Sequence, residues 1–221
     1  MTDVPSNGLF AARFQTREQV VHYRDRYISG RRVKTHERET AALRKLLSTL
    51  PRMSAALDIP SGTGRMFGVL AERCDRVILA DSSPAMLDVA RDDLAGLSAE
   101  VLNTSAERIS LPDKSVDLIF CHRLLPHVYS AAARGKMLAE FGRVTRKYVI
   151  LSFHPPGLRR RLRWTFQSRR NGNTPSDQLR SRRQLAREAS AAGLRQVASQ
   201  RLRRFPAAAF LLFERTDHSK P

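Results

Sequence analysis

Two short stretches carry residues whose types and spacing suit a nucleoside-like ligand. The first reads Leu57-Asp58-Ile59-Pro60-Ser61-Gly62-Thr63-Gly64-Arg65. Glycines placed where an apolar run gives way to a helix let backbone amides come close to a bound group. The second is Asp81, which ends the run Arg76-Val77-Ile78-Leu79-Ala80. A carboxylate at the end of a second strand can accept two hydrogen bonds from a ribose diol. Glycine loop plus carboxylate therefore points to a ligand containing adenosine with free ribose hydroxyls. The dinucleotide signature G-x-G-x-x-G is incomplete, because Phe67 fills the third slot and Gly68 comes one residue late. No G-K-[ST] follows the loop, which excludes a P-loop and its phosphate-binding lysine. These departures favour an adenosine ligand without a pyrophosphate.

The elements that must position these residues can be read from hydrophobic periodicity. Arg17 to Leu50 reads as two helices broken at Ser29-Gly30, with Val20, Val21, Tyr23 and Tyr27 sharing one face and Leu43, Leu46, Leu47 and Leu50 another. Pro51 stops the second helix. Ala55–Ile59 is a buried strand, Met66–Cys74 a helix, and Arg76–Ala80 a second strand. Ser83-Pro84 starts a helix, Ser as the cap and Pro at the first position, and Gly96 ends it. Val101-Leu102 marks a third strand, Val116–Cys121 a fourth, Ala131–Thr145 a helix and Tyr148–Leu151 a fifth strand. Leu179–Ala192 reads as a helix, and Val197–Leu202 and Ala207–Phe213 as two closing strands. Strands alternating with helices predict an α/β fold, a parallel sheet covered on both faces.

With these elements in place, the chain resembles the class I S-adenosylmethionine-dependent methyltransferases. LDIPSGTGR is similar to that family's L-D-x-G-x-G-T-G loop, and ADSSPAMLDVAR to its D-x-S-x-x-M-L segment after the second strand. SAERISLPDKSVDLIFCHRLLPHV is similar to its D-A-x-x-L-P…F-D-x-V…L-H-H-V stretch. The resemblance covers about residues 55–153 and departs from the pattern at Pro60, Ser105 and Pro126. Pro60 removes one backbone donor from the loop, and Ser105 replaces an acidic residue beside the adenine. The resemblance implies a Rossmann-like, mostly parallel seven-stranded sheet with helices on both faces and its last strand antiparallel, with S-adenosyl-L-methionine as cofactor. Carried over by position, Asp58, Ser61, Gly62 and Gly64 surround the methionine part, Asp81 holds the ribose, and Ser82 and Met86 pack near the adenine. Ala106 and Glu107 line the adenine's amino edge, while Cys121 and His122 face the sulfonium.

The sulfonium methyl is already activated, so such a protein must chiefly align an acceptor and exclude water, where positioning alone supplies ~7–11 kcal/mol. A base is needed only for an acceptor such as a hydroxyl, and the titratable candidates are His122, His127 and His154. His127 comes first because it aligns with the family's H-H-V histidine, and His122 second. The competing reading of each is a packed core histidine. Cys121 reads more readily as an inert buried thiol than as a nucleophile, and Met86 as readily as core as adenine wall. No metal is required.

The 221 residues carry a formal net charge of +18, unevenly placed. Residues 1–53 hold 11 basic and five acidic side chains, residues 54–157 hold 12 of each, and residues 158–221 hold 16 and four. A neutral centre is thus flanked by basic ends, which attract an anionic partner. Arginines outnumber lysines 33 to 6, a bias that GC-rich codon usage alone can produce. The division expected is 1–53 as basic helices covering the active site and 54–221 as the methyltransferase domain, with an Arg-rich insertion at about 158–183. The acceptor expected is an anionic small molecule or a lipid- or sugar-linked group, with Leu158, Leu162, Trp164 and Phe166 among arginines as an interfacial segment. The alternative acceptor is RNA, with Trp164 or Tyr27 stacking a base. A non-catalytic binder of the same cofactor is a further alternative, and a missing Tyr-x-x-x-Lys pair weakens a reductase. Two cysteines, Cys74 and Cys121, rule out a disulfide scaffold. No apolar run reaches the length of a membrane span and the first residues lack a signal-peptide layout, so the expected location is cytoplasmic, with attachment to the inner face of a membrane as the variant.

Overall fold

The computed structural model describes residues 14, 16–128, 130–155, 181–202 and 208–216. The interfacial segment around Trp164, and all but the end of the 158–183 insertion, lie outside the described residues. Two helices come first, α1 (Arg17–Ile28) and α2 (Val33–Leu47). Thr16 and Gln19 close a capping box at the start of α1, each side chain meeting the other's backbone amide. Then follow β1 (Met53–Asp58), α3 (Phe67–Ala71), β2 (Cys74–Asp81), α4 (Pro84–Asp93), β3 (Ala99–Asn103) and β4 (Val116–Cys121). After a short 3-10 turn at Leu125–His127 come α5 (Ala131–Val144), β5 (Thr145–Phe153), α6 (Arg182–Ala191), β6 (Leu194–Arg201) and β7 (Ala209–Arg215).

The seven strands form one sheet in the order β3-β2-β1-β4-β5-β7-β6. Pairs β3/β2, β2/β1, β1/β4 and β4/β5 are parallel, whereas β7 runs antiparallel to both β5 and β6. This is the mostly parallel sheet with an antiparallel last strand that the family resemblance implies. Central strands are apolar along their whole length, all six residues of β4 being buried, because helices cover both faces. One face packs Met137, Leu138 and Phe141 of α5 and Leu185 and Ala189 of α6. The other packs Leu43, Leu46 and Leu47 of α2 and Phe67, Val69 and Leu70 of α3.

Differences from the sequence-based expectation concern element ends. The helix expected over Met66–Cys74 is only five residues long, because Cys74 already pairs with Met53 as the first residue of β2. Strands β5 and β6 start at Thr145 and Leu194, earlier than their apolar centres suggest, since exposed residues still complete the ladder. Ser83 caps α4 as expected, its hydroxyl accepting from the Met86 amide at 3.4 Å, with Pro84 first in the helix.

Candidate active site

Strand order reverses between β1, which continues to β2 and β3, and β4, which continues towards β5. Ligands in such open sheets lie outside the carboxyl ends of the strands at this switch point. A cavity of about 480 Å³ opens there, within the ~300–1,000 Å³ usual for small-molecule sites. Its wall combines the end of β1 and the following loop (Asp58, Pro60, Ser61, Gly62, Thr63, Arg65), the end of β2 (Asp81, Ser82, Ser83) and the end of β4 (His122, Arg123).

The loop is folded by its own backbone. Ser61 donates its amide to the Ala80 carbonyl at 2.8 Å, and Gly64 donates to the Ser61 carbonyl at 3.1 Å. Asp81 ties this loop to α4: one carboxylate oxygen accepts from the Gly62 amide and the other from the Ser83 amide, both at 2.9 Å. Burial raises the Asp81 carboxyl above its ordinary value, against the lowering effect of these amides. Asp81 is thus both a helix-entry clamp and a cavity-wall carboxylate. Gly62 and Gly64 both have positive φ, 56° and 73°, so each favours glycine on conformational grounds. Their surroundings differ. A Cβ at Gly62 would meet nothing nearer than Met86 Sδ at 4.0 Å, whereas one at Gly64 would press on Leu94 and Leu79 at 2.8 and 3.0 Å. Gly62 therefore leaves open space beside the cavity, and Gly64 lets the loop pack on α4 and β2.

A charged cluster stands at the end of β4. Glu39 of α2 is buried, with Oε2 at 3.0 Å from Arg65 Nη1 and 3.2 Å from His122 Nε2, while Arg123 donates to Oε1 from both Nε and Nη2. Burial pushes the Glu39 carboxyl up, but His122, Arg65 and Arg123 outweigh it and hold it well below the usual carboxylate range. Burial, helped by the two arginines, drives His122 down to about 3 against the pull of Glu39. The imidazole is therefore neutral at neutral pH, and the guanidiniums compensate the carboxylate. Arg65 also lies over the Tyr27 ring at 4.6 Å, with Arg32 and Arg123 at 5.5 and 5.8 Å from the same ring. Tyr23 packs against Tyr27 at 5.4 Å, and burial raises its phenol to about 12.

Of the residues singled out from sequence, Asp58, Ser61, Gly62, Asp81, Ser82, Met86, His122 and His127 share the cavity wall. Gly64, Ala106, Glu107 and Cys121 stand outside it. Ala106 and Cys121 belong to the core beneath the sheet ends, and burial raises the Cys121 thiol far above its ordinary range. Glu107 is half-buried in a turn, its amide donating to Ser105 Oγ at 3.2 Å. Periodicity did not single out Arg26, Arg32, Glu39, Arg65 and Arg123, because charged residues on helices and loops ordinarily read as solvated. Among the described residues no group of three His, Cys, Asp or Glu is placed to hold a metal ion. No described helix is long and apolar enough to cross a membrane.

An S-adenosylmethionine-type group fits these residues on two observations. Ser61 Oγ is buried in the cavity wall without a hydrogen-bond partner, and the space beside Gly62 is free of side chains nearer than 4 Å.

Comparison with known proteins agrees with this geometry. Residues 56–148 match the family model described as a methyltransferase domain. Two curated malonyl-[acyl-carrier protein] O-methyltransferases are similar over part of the chain. That of a Marinomonas species is 37% identical over 87 residues, 37% of this chain and 32% of that protein. That of Serratia marcescens is 35% identical over 97 residues, 44% of this chain and 36% of that protein. The chain thus matches about a third of the length of these relatives. Among solved structures, the magnesium protoporphyrin IX methyltransferase of Synechocystis PCC 6803 with bound SAM is similar in fold. Its TM-score is 0.73 at 14% identity, over 98% of this chain and 100% of that one. The N-methyltransferase NodS of Bradyrhizobium japonicum has a TM-score of 0.63 at 15% identity, over 82% and 97%. The match over residues 56–148, which include the glycine loop and Asp81, makes this part of the chain similar to a methyltransferase domain, and the sheet order agrees with that fold.

Proposed function

We propose that this protein is an S-adenosylmethionine-dependent methyltransferase whose acceptor is an anionic small molecule or an anionic group carried on a larger molecule. The observation that supports this best is the cavity at the β1/β4 switch point, where Gly62 leaves space, Ser61 Oγ lacks a partner and Asp81 presents its carboxylate. In this reading Asp58, Ser61 and Gly62 hold the methionine end, Asp81 the ribose, and Ser82 and Met86 the adenine. When bound, the cofactor supplies an electrophilic methyl on a sulfonium. The chain's own task is then to orient an acceptor and keep water out. Helix α1 and the turn leading into α2 contribute Tyr23, Arg26, Tyr27 and Arg32 to the cavity wall, which supports residues 1–53 as a cover over a methyltransferase domain in 54–221.

The chemistry of the wall favours an acceptor that is already ionised. His122 is neutral and weakly basic, while four arginines face the cavity, so the site is better equipped to receive an oxyanion than to deprotonate a hydroxyl. His127, also in the wall, remains the candidate base for a protonated acceptor. The carboxylate-bearing substrates named for the two curated relatives are compatible with this class. An RNA acceptor receives less support, because Arg32, Arg65 and Arg123 already surround the Tyr27 ring that would stack a base. Attachment to a membrane surface has no support among the described residues.

Calorimetry with S-adenosylmethionine and its demethylated product S-adenosylhomocysteine tests the cofactor. Transfer of a labelled methyl group to cell extract, split into RNA, small-molecule, lipid and protein-bound fractions, tests the acceptor. Absence of binding by either adenosyl compound would sink the reading. Label confined to nuclease-sensitive material would replace the anionic small acceptor with RNA, and binding with no transfer to any fraction would favour a non-catalytic binder.

A further inference from the structure

The basic residues of the cavity wall divide into two sets by what they touch. Arg65 and Arg123 share Glu39, the buried carboxylate that ties α2 to the ends of β1 and β4. Their charge is largely answered inside the protein. Arg26, in the last turn of α1, and Arg32, at the start of α2, are not answered in this way. Among the described residues neither forms an ion pair with a carboxylate within 4.0 Å. Arg32 donates to the Tyr27 hydroxyl at 3.0 Å and leans over that ring, and Arg26 leans over Tyr23 at 5.8 Å. Arg26 Nε is buried and has no hydrogen-bond partner. A buried guanidinium N–H without an acceptor is costly unless a ligand supplies one.

The two residues are held close by the chain itself, since the Arg32 amide donates to the Arg26 carbonyl at 2.8 Å across the turn between α1 and α2. Both side chains are half-buried, and both line the same cavity as Ser61 and Asp81. Planar guanidiniums fixed on aromatic rings keep their N–H edges free for a carboxylate or phosphate, which they grip in the fork geometry. With Arg32, Arg65 and Arg123 on the Tyr27 ring, Arg26 beside them and Glu39 as the one neutralising carboxylate, this corner carries an excess of positive charge.

We infer that Arg26 and Arg32 form an oxyanion subsite of the cavity, separate from the Glu39 cluster, which receives a carboxylate or phosphate of the acceptor rather than the cofactor. This rests on the methyltransferase reading only for the identity of the second ligand; the subsite itself follows from the unanswered guanidiniums. The turn between the two N-terminal helices then selects the acceptor by charge, while the glycine loop and Asp81 hold the other ligand.

The test is calorimetric titration of malonate and, separately, inorganic phosphate into protein saturated with S-adenosylhomocysteine, for the wild type and for R26Q, R32Q and the double variant. Expected is measurable binding of at least one anion to the wild type, weakened about tenfold or more in the double variant, as for loss of charged hydrogen bonds. Affinity for S-adenosylhomocysteine should stay within about threefold across all four proteins, a difference below 1 kcal/mol. Preference for malonate or for phosphate identifies which source of the oxyanion the subsite fits. Thermal melts show whether each variant is folded, and the single variants report separately if the double one is not. Anion binding absent from the wild type, or unchanged in every folded variant, overturns the inference. So does a fall in S-adenosylhomocysteine affinity as large as that for the anion, which would assign these arginines to the cofactor's own carboxylate. If S-adenosylhomocysteine does not bind at all, the cofactor reading fails by itself. The anion titration on the protein alone then still decides the subsite.

Discussion

Asp81 joins an observed folding role to a proposed binding one. Its two oxygens hold the Gly62 and Ser83 amides, so removing it loosens the glycine loop and the α4 cap as well as the expected ribose contact. Asp81→Ala should weaken S-adenosylhomocysteine binding by about tenfold or more, from the ~1.5–3 kcal/mol carried by charge-assisted hydrogen bonds. Calorimetry checks this, and an unchanged affinity removes Asp81 from the site. His122 supports a second prediction, in pH. Its folded value of about 3 lies below the ordinary 6.5, so between these limits the unfolded chain binds more protons than the folded one. The contribution of His122 to stability must therefore fall as pH drops below 6.5, by at most about 1.4 kcal/mol per pH unit, while the buried carboxyls Asp58 and Asp81, raised by burial, act in the opposite direction in both proteins compared below. Glu39 adds to this loss only below its ordinary 4.5, because its folded value is depressed. His122→Gln should flatten the dependence between pH 6.5 and 4.5 in urea unfolding midpoints, and identical slopes in both proteins would refute a buried neutral imidazole. Asp81 was legible in sequence because it combines an apolar run, a terminal carboxylate and a glycine loop 19 residues upstream. Glu39 was not, since its partners Arg65, His122 and Arg123 are up to 84 residues away and a helical Glu ordinarily faces water.

At the scale of elements, strands and caps were legible because they obey local rules, whereas contacts between helices were not. The Ser83-Pro84 cap and the span of β4 match the pattern read from sequence, while the short α3 gives way to the ladder that Cys74 begins. The join between α5 and α6 depends on Arg134, which is fully buried and pairs with Glu188 through Nε and Nη2, both at 2.8 Å. Nothing in the run of either helix marks this pair, because each residue alone fits an exposed face. Glu188→Ala leaves a buried guanidinium with its Val128 carbonyl contact but without its carboxylate. The expected cost is about 3–5 kcal/mol, the range for breaking a buried pair on one side. The Arg195–Glu214 pair is a control on the same half of the sheet, with side chains 67% and 41% exposed. Glu214→Ala should cost under about 1 kcal/mol. Equal losses in urea unfolding would show that burial does not govern these pairs.

For the whole molecule, the charge of +18 acquires a direction once the fold is known. The N-terminal helices bring Arg26 and Arg32 to the carboxyl ends of the strands, where the neutral central region supplies Asp58, Asp81 and the glycine loop. In the proposed reading two ligands of different electrostatic character meet in one cavity. An adenosyl ligand held by backbone, hydroxyl and apolar contacts has little dependence on ionic strength. An oxyanion drawn to arginines does depend on it, because the attraction acts through partly solvated guanidiniums and chloride competes for them. Between about 0.1 and 1 M sodium chloride the Debye length contracts from about 10 to about 3 Å. Over that range malonate or phosphate binding should weaken by about fivefold or more, while S-adenosylhomocysteine binding changes by less than about twofold. Calorimetry at the two salt concentrations separates them. A parallel fall in both affinities would mean that the same arginines hold the adenosyl ligand, and the excess charge at the mouth of the cavity would then belong to cofactor capture rather than to choice of acceptor.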